Sequence, residues 1–185
     1  MDKEQIVRIA VEAAVKAAAE YIDKQRKKEN QHRKNKRLRN TRLLLKNYWL
    51  FKSHCEKSIY RFSQAVDSSK AIEILDIIDR YDDKAFVSSI KQSIARTNLI
   101  LAHVDEMLKL YKVYCDMSDK PEDQRRYRAL HAFYFERGEQ KKFISVTEIA
   151  EREAIDERTA QRDIRDACYK LGSLIFGIDS LDNVS

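Results

Sequence analysis

The chain is poor in the residues that make turns. Among its 185 residues there are only 3 glycines and 1 proline. A β-rich fold needs many tight turns, which draw on glycine, proline and asparagine, so their scarcity favours a few long helices. Charged residues make up 36% of the chain, a proportion typical of long solvated helices. We therefore predict an all-α fold.

Signatures of metal sites and membrane spans are also missing. The three cysteines (Cys55, Cys115 and Cys168) are an odd number, and their wide separation does not match zinc-ligand spacing. No run of about 18 apolar residues occurs, so no membrane span is predicted. The acidic, alanine-rich N-terminus lacks the basic start of a signal peptide. We expect a protein of the reducing cytoplasm that holds no metal or other cofactor.

Signatures of an enzyme are missing too. The sequence has no glycine-rich phosphate loop, no nucleophile elbow and no paired-histidine metal motif. The four histidines, at positions 32, 54, 103 and 131, are scattered. The adjacent Asp82 and Asp83 are more typical of a helix end than of a metal site. We predict no catalytic residue and expect a binding protein rather than an enzyme.

Positive charge is concentrated in a basic segment, residues 24–42. It holds ten lysines and arginines against one acid, Glu29, so its net charge of +9 exceeds the +6 of the whole chain. Like charges one helical turn apart oppose helix formation by a few tenths of a kcal/mol per pair. The segment is therefore either a solvated helix or hinge that connects two helices, or a surface that contacts nucleic-acid phosphates. The candidates for phosphate contact are Lys34, Lys36, Arg37 and Arg39.

Apolar spacing predicts several long helices outside this segment. They cover residues 3–22, 43–63, 70–81, 84–116 and 121–137. The second of them has one strong apolar stripe, formed by Leu44, Tyr48, Phe51, Cys55, Ile59 and Phe62. The helices 43–63 and 84–116 are expected to form a bundle or an antiparallel pair. The last begins after Asp119 as its cap, with Pro121 in its first turn, and ends at Gly138.

Residues 145–156 have the pattern of a short helix followed by a turn. Ser145 and Glu148 form an S-x-x-E capping box, which starts a helix at Val146. That helix is expected to end near Glu153. Ala154 then stands in the turn, a position where a positive φ favours glycine. The two residues that follow are Ile155, expected in the core, and Asp156, a good N-cap for a second helix.

The second helix, from Glu157 to at least Tyr169, has two opposite faces. Its apolar face is formed by Ala160, Ile164, Ala167, Leu171 and Ile178. Its basic face is formed by Arg158, Arg162 and Arg165, at spacings of four and three residues, with Gln161 between the two faces. The segment therefore combines an apolar anchor with an outward arginine ridge.

The residue types on this ridge suit recognition of DNA. Arginine pairs with guanine O6 and N7, and glutamine pairs with adenine N6 and N7. In a helix-turn-helix the first residues of the second helix touch base edges. These residues are Arg158, Thr159, Gln161 and Arg162, whereas the later Arg165 and Lys170 are expected at backbone phosphates. The alternative is a plain helical hairpin with a solvated arginine face.

The run ISVTEIAEREAIDERTAQRDI resembles the helix-turn-helix of many bacterial regulators. Residues 157–159 and 162–164 match its R-T and R-D positions, with Asp156 where serine is frequent and Ala160 where valine is frequent. The next run, ACYKLGSLIFGIDSL, resembles the C-terminal end of phage and mobile-element transcriptional regulators of the ArpU/RinA type. Those proteins carry a DNA-binding module similar to region four of sigma factors. The resemblance covers about residues 121–181.

The resemblance implies a sequence-specific transcriptional regulator that binds double-stranded promoter DNA. It also raises contact with RNA polymerase as an expectation. We divide the chain into a helical N-terminal region, residues 1–117, and a C-terminal helix-turn-helix DNA-binding domain, residues 118–185. The N-terminal helices are expected to dimerise or to touch the polymerase, so we expect a homo-oligomer. The alternative is a DNA-packaging accessory such as a small terminase subunit, which a ring assembly without promoter binding would favour.

Overall fold

A computed structural model describes residues 3–56, 68–78, 82–136 and 143–177 of the chain. Within these residues the fold is all-helical, without a β-strand, as the composition predicts. The helices are α1 (Lys3–Lys46), α2 (Tyr48–Glu56), α3 (Ser68–Ile78), α4 (Asp83–Lys91), α5 (Ile94–Asp116), α6 (Pro121–Phe135), α7 (Val146–Arg152) and α8 (Glu157–Ile175). None of these described helices is both long and apolar enough to cross a membrane.

Helix α1 runs through the basic segment without a break, so the segment is a helix rather than a hinge. The helix predicted to end at residue 22 therefore continues for another six turns. Side-chain hydrogen bonds between neighbouring turns, such as that from Gln31 Nε2 to Asn35 Oδ1 at 3.0 Å, offset part of the like-charge repulsion. Contacts divide the chain into two compact units, Met1–Lys36 and Arg37–Ser185, and α1 contributes to both.

The helix predicted over residues 43–63 is interrupted at Asn47, where α1 ends and α2 follows. The Asn47 side chain donates to the Leu43 carbonyl at 2.8 Å, the kind of local bond by which asparagine competes with helical pairing. The predicted stripe is buried at Leu44, Tyr48 and Phe51 and half-buried at Cys55. Its last two members, at positions 59 and 62, lie outside the described residues.

The single helix predicted over residues 84–116 is wrong, because the chain breaks between α4 and α5. Ser93 is extended there, with φ −142° and ψ 131°. Side chains of α5 take up the carbonyls that α4 leaves unpaired. Thr97 Oγ1 donates to the Ile90 carbonyl at 2.8 Å, and Arg96 Nη1 donates to the Ser89 carbonyl at 3.0 Å. Apolar spacing is nearly continuous across this break and could not reveal it.

The structure confirms the helix end predicted at Asp82 and the predicted position of Pro121 in the first turn of a helix. Asp82 caps α4, with its Oδ1 accepting from the Ala85 backbone N–H at 2.8 Å. Pro121 is the first residue of α6, but the predicted cap at Asp119 is wrong, because Lys120 holds that position without a side-chain cap. Helix α6 ends at Phe135 rather than at residue 137, and the glycine expected to stop it lies outside the described residues.

The core of the second unit is built around α5, α6 and α8. Helix α8 packs mainly on α6 and also on α5 and α7, while α2, α3 and α4 pack on α5. Fully buried residues from several helices meet there, among them Phe51, Phe86, Ile100, Leu130 and Leu171. The boundary expected between residues 117 and 118 falls between α5 and α6, which contact each other. The functional division of the chain at that point stays a prediction.

Candidate nucleic-acid interface

Helix α7 begins at the predicted capping box. The Ser145 N–H donates to Glu148 Oε2 at 2.7 Å, and the Glu148 N–H donates to Ser145 Oγ at 3.2 Å. These reciprocal bonds pair two of the N–H groups that a helix start leaves free. The bonds from Ser145, the backbone bond first, lower the pKa of Glu148. The helix ends at Arg152, one residue before the predicted end.

The turn after α7 depends on Ala154, whose φ is 52°. This left-handed conformation costs a residue with a Cβ about 1–2 kcal/mol. The turn is closed by a bond from the Ile155 N–H to the Ala150 carbonyl at 3.0 Å. Ile155 is half-buried and packs against the core. The sequence therefore predicted both the position of the turn and the strain within it.

Asp156 caps α8 as predicted. Its Oδ1 accepts from the Thr159 N–H at 2.9 Å and its Oδ2 accepts from the Thr159 hydroxyl at 2.6 Å. These bonds, the side-chain one first, lower the pKa of Asp156. The Thr159 hydroxyl hydrogen, proposed above for a DNA contact, is thus used inside the cap. A further bond, from Thr147 Oγ1 to Glu157 Oε1 at 2.8 Å, joins the starts of the two helices.

The two predicted faces of α8 are separated as expected. Ala160, Ile164, Ala167 and Leu171 are buried, and residue 178 lies outside the described residues. Arg158 and Arg162 are exposed on the opposite side, and Gln161 is exposed between the two faces. Among the residues that the structure describes, none forms an ion pair or hydrogen bond with the guanidinium group of either arginine. We call Arg158, Gln161 and Arg162 the outer triad.

The two later candidates on α8 have partners. Arg165 is 55% exposed and its Nη2 lies 3.1 Å from Asp166 Oδ1. Lys170 places its ammonium 4.5 Å from the centre of the Tyr114 ring on α5. Both interactions are of the surface type, worth up to about 1 kcal/mol each. Either cation is able to exchange its partner for a phosphate at small cost.

A buried ion pair that the sequence did not predict ties α8 to α6. Asp163 is 1% exposed, and its Oδ2 lies 2.6 Å from Arg125 Nε while its Oδ1 lies 3.6 Å from Arg126 Nε. The hydrogen bond that Arg125 donates to Asp163 raises the pKa of Arg125. The three arginines of α6, at positions 125, 126 and 128, are the feature of the sequence that pointed to an ion pair. They did not indicate which acid would be the partner.

A second ion pair ties the turn to α6. Arg128 donates two hydrogen bonds to the carboxylate of Glu153, at 2.8 and 2.6 Å. This paired geometry lowers the pKa of Glu153 and raises that of Arg128, in each case mainly through the hydrogen bonds between them. Arg152 at the end of α7 adds a contact of 3.0 Å to Glu136. The turn and both flanking helices are thereby held on one scaffold helix.

The candidates in the basic segment are divided between the two units. Lys34 and Lys36 belong to the first unit and are half-buried along α1. Arg37 and Arg39 belong to the second, where Arg39 Nε lies 3.2 Å from Asp83 Oδ1. Arg39 is therefore engaged within the fold.

The end of the basic segment passes directly behind α8. A Cβ placed on Gly172 would lie 2.5 Å from Oγ1 of Thr41, a residue that is fully buried. Only glycine permits this approach, because any larger residue would overlap Thr41. Residues 37–46 of α1 therefore support the inner side of α8, and this role of Gly172 was not apparent from the sequence.

No protein-family model, curated protein or solved structure matches the chain. The resemblance to ArpU/RinA-type regulators thus rests on the motifs quoted above. Within the described part of the chain no cluster of His, Cys, Asp or Glu could hold a metal ion. None of the three cysteines forms a disulfide, and burial raises the pKa of Cys168 to about 11.

Proposed function

We propose that the chain is a sequence-specific DNA-binding transcriptional regulator in which α7 and α8 form a helix-turn-helix. The observation that carries the proposal is the outer triad. Three side chains suited to base edges stand exposed in the first turns of a helix whose opposite face is buried and held by ion pairs. A helix of this kind fits the major groove with its N-terminal turns at the base edges.

The cations around the triad have a second role in this proposal. Arg165 and Lys170 contact the phosphates that flank the groove, and the basic segment supplies further neutralising charge. Phosphate contacts fix the register of a protein on the duplex but carry no sequence information themselves. We further propose that the regulator is of the phage or mobile-element type. Its similarity to region four of sigma factors supports contact with RNA polymerase as part of this proposal.

The first experiment selects bound sequences from random DNA with the full chain. A recovered motif gives the specific site, and Arg162→Ala is then compared with the wild type on that site and on random DNA. We expect a loss of about 1–3 kcal/mol on the specific site and a smaller loss on random DNA, because a base contact is lost. Arg158→Ala should behave in the same way.

Two variants serve as controls for this experiment. Lys84→Ala removes one exposed charge from α4 and should change neither affinity. Arg165→Ala should weaken binding to both DNAs alike, because it removes a phosphate contact. Equal losses for Arg162→Ala on both DNAs would refute base reading, and the recovery of no motif would refute sequence specificity.

A further inference from the structure

Helix α5 and its C-cap residue carry a largely exposed apolar stripe. We define it as Leu110, Val113, Tyr114 and Met117, which are 49%, 52%, 47% and 80% exposed. Their spacings of three, one and three residues put them on one side of the helix. Single exposed apolar residues are ordinary, but a contiguous row on one helix face marks an interaction site.

The stripe has a charged flank and a covered flank. Lys170 of α8 lies over the Tyr114 ring on one side. On the other side Lys109 and Asp116, two helical turns apart, share a flank. Each is now paired within α5, Lys109 with Glu106 at 2.9 Å and Asp116 with Lys112 at 2.6 Å. Exposed pairs of this kind are worth little, so they can exchange partners.

We propose that the stripe binds a second copy of the chain, with the two α5 helices antiparallel about a two-fold axis near Val113 and Tyr114. In this arrangement Leu110 packs on Met117 of the second copy, and Val113 packs on Tyr114 of the second copy. The symmetry repeats each contact, as in any two-fold interface. The same axis brings Lys109 of each copy close to Asp116 of the other copy, so the flank is complementary to itself.

The antiparallel arrangement follows from the order of these charges. In a parallel two-fold pair, the flank that carries Lys109 and Asp116 would lie against the opposite flank of the second copy, so these two charges would not meet. The stripe alone is smaller than the roughly 800 Å² that each partner buries in a standard interface. The dimer should therefore be of moderate affinity, with a Kd on the order of micromolar. This inference concerns the oligomeric state and does not rest on DNA binding.

Sedimentation equilibrium of the full chain without DNA tests the proposal. The wild type should show a monomer–dimer equilibrium, and Leu110→Glu should weaken it by at least about tenfold, because it places a carboxylate against the apolar Met117 of the second copy. The matched control is Leu50→Glu, since Leu50 on α2 is 47% exposed but lies outside the stripe. It should leave the equilibrium unchanged, and circular dichroism of both variants checks that they fold.

Charge exchange tests the antiparallel order. Lys109→Glu and Asp116→Lys should each weaken the dimer, and the variant that carries both changes should regain the wild-type affinity. A wild type that stays monomeric, or a dimer that Leu110→Glu does not affect, would overturn the proposed interface. If the variant with both charge changes loses as much dimer affinity as the two single variants together, the antiparallel order would be overturned.

Discussion

At position 154 a single alanine holds the conformation on which the turn between α7 and α8 depends. Its φ of 52° lies in the left-handed region, which glycine adopts without the steric cost of a Cβ. The strain is stored within the candidate interface, and the ion pair between Arg128 and Glu153 holds the turn against it.

We predict that Ala154→Gly raises the free energy of unfolding by roughly 0.5–1 kcal/mol. Relief of the left-handed strain exceeds the extra backbone entropy that glycine brings to the unfolded chain. Chemical denaturation followed by circular dichroism measures the change. Ala102→Gly, in the middle of α5, is the matched control and should lose about 1 kcal/mol, because helix interiors disfavour glycine. A loss at both positions would contradict the strain argument.

Among the helices, those whose ends are marked by local signals were predicted best. Capping by Ser145, Asp156 and Asp82 acts over three residues, so the sequence alone contains both partners of each bond. The apolar face of α8 was likewise predictable, because helical spacing alone separates Ala160 and Ile164 from the arginines. These local rules gave most of the candidate site.

Features that depend on distant partners were not predictable. The break before α5 is stabilised by Arg96 and Thr97, which bind carbonyls seven residues earlier in a different helix. Asp163 pairs with a residue 38 positions earlier, and Gly172 fits against Thr41 of α1. A single sequence has no periodic signal for such contacts. Helical spacing therefore predicted which face of α8 is buried, but it did not predict the ion pair of Asp163 that holds the helix in that orientation.

We predict that Asp163→Asn destabilises the fold by about 3 kcal/mol. It removes the charge that Arg125 and Arg126 share and leaves their guanidinium groups without a buried anion. The measurement is the free energy of unfolding from urea titration. Asp166→Asn is the control, because that carboxylate is 36% exposed and should contribute less than about 1 kcal/mol. Similar losses for both variants would argue against a structural role for the buried pair.

Over the whole molecule, the basic segment is the largest concentration of charge, and its role in binding is open to direct measurement. Arg39 already contacts Asp83, so its replacement would mix folding and binding effects. The test therefore leaves Arg39 in place and changes Lys34, Lys36 and Arg37.

We predict that changing Lys34, Lys36 and Arg37 together to glutamine flattens the salt dependence of DNA binding. Each lost phosphate contact reduces the slope of log affinity against log salt by about 0.9, so the change should total roughly 1–3. Titrations at several salt concentrations give the slope. Changing Lys84 and Lys91 of α4 and the α6 N-cap Lys120 to glutamine removes the same charge elsewhere and should leave the slope unaltered. An unaltered slope in the first variant would identify the segment as a connector.

The buried carboxylate of Asp163 also fixes how far α8 can turn about its own axis. A rotation by one residue, about 100°, would carry that charge out of reach of both arginines and swing the outer triad away from its direction. Any such rotation would leave the buried carboxylate of Asp163 without a cationic partner. A buried unpaired charge costs far more free energy than a displaced apolar side chain. The direction in which the outer triad points is thus fixed from inside the fold, by a carboxylate that is itself hidden from solvent.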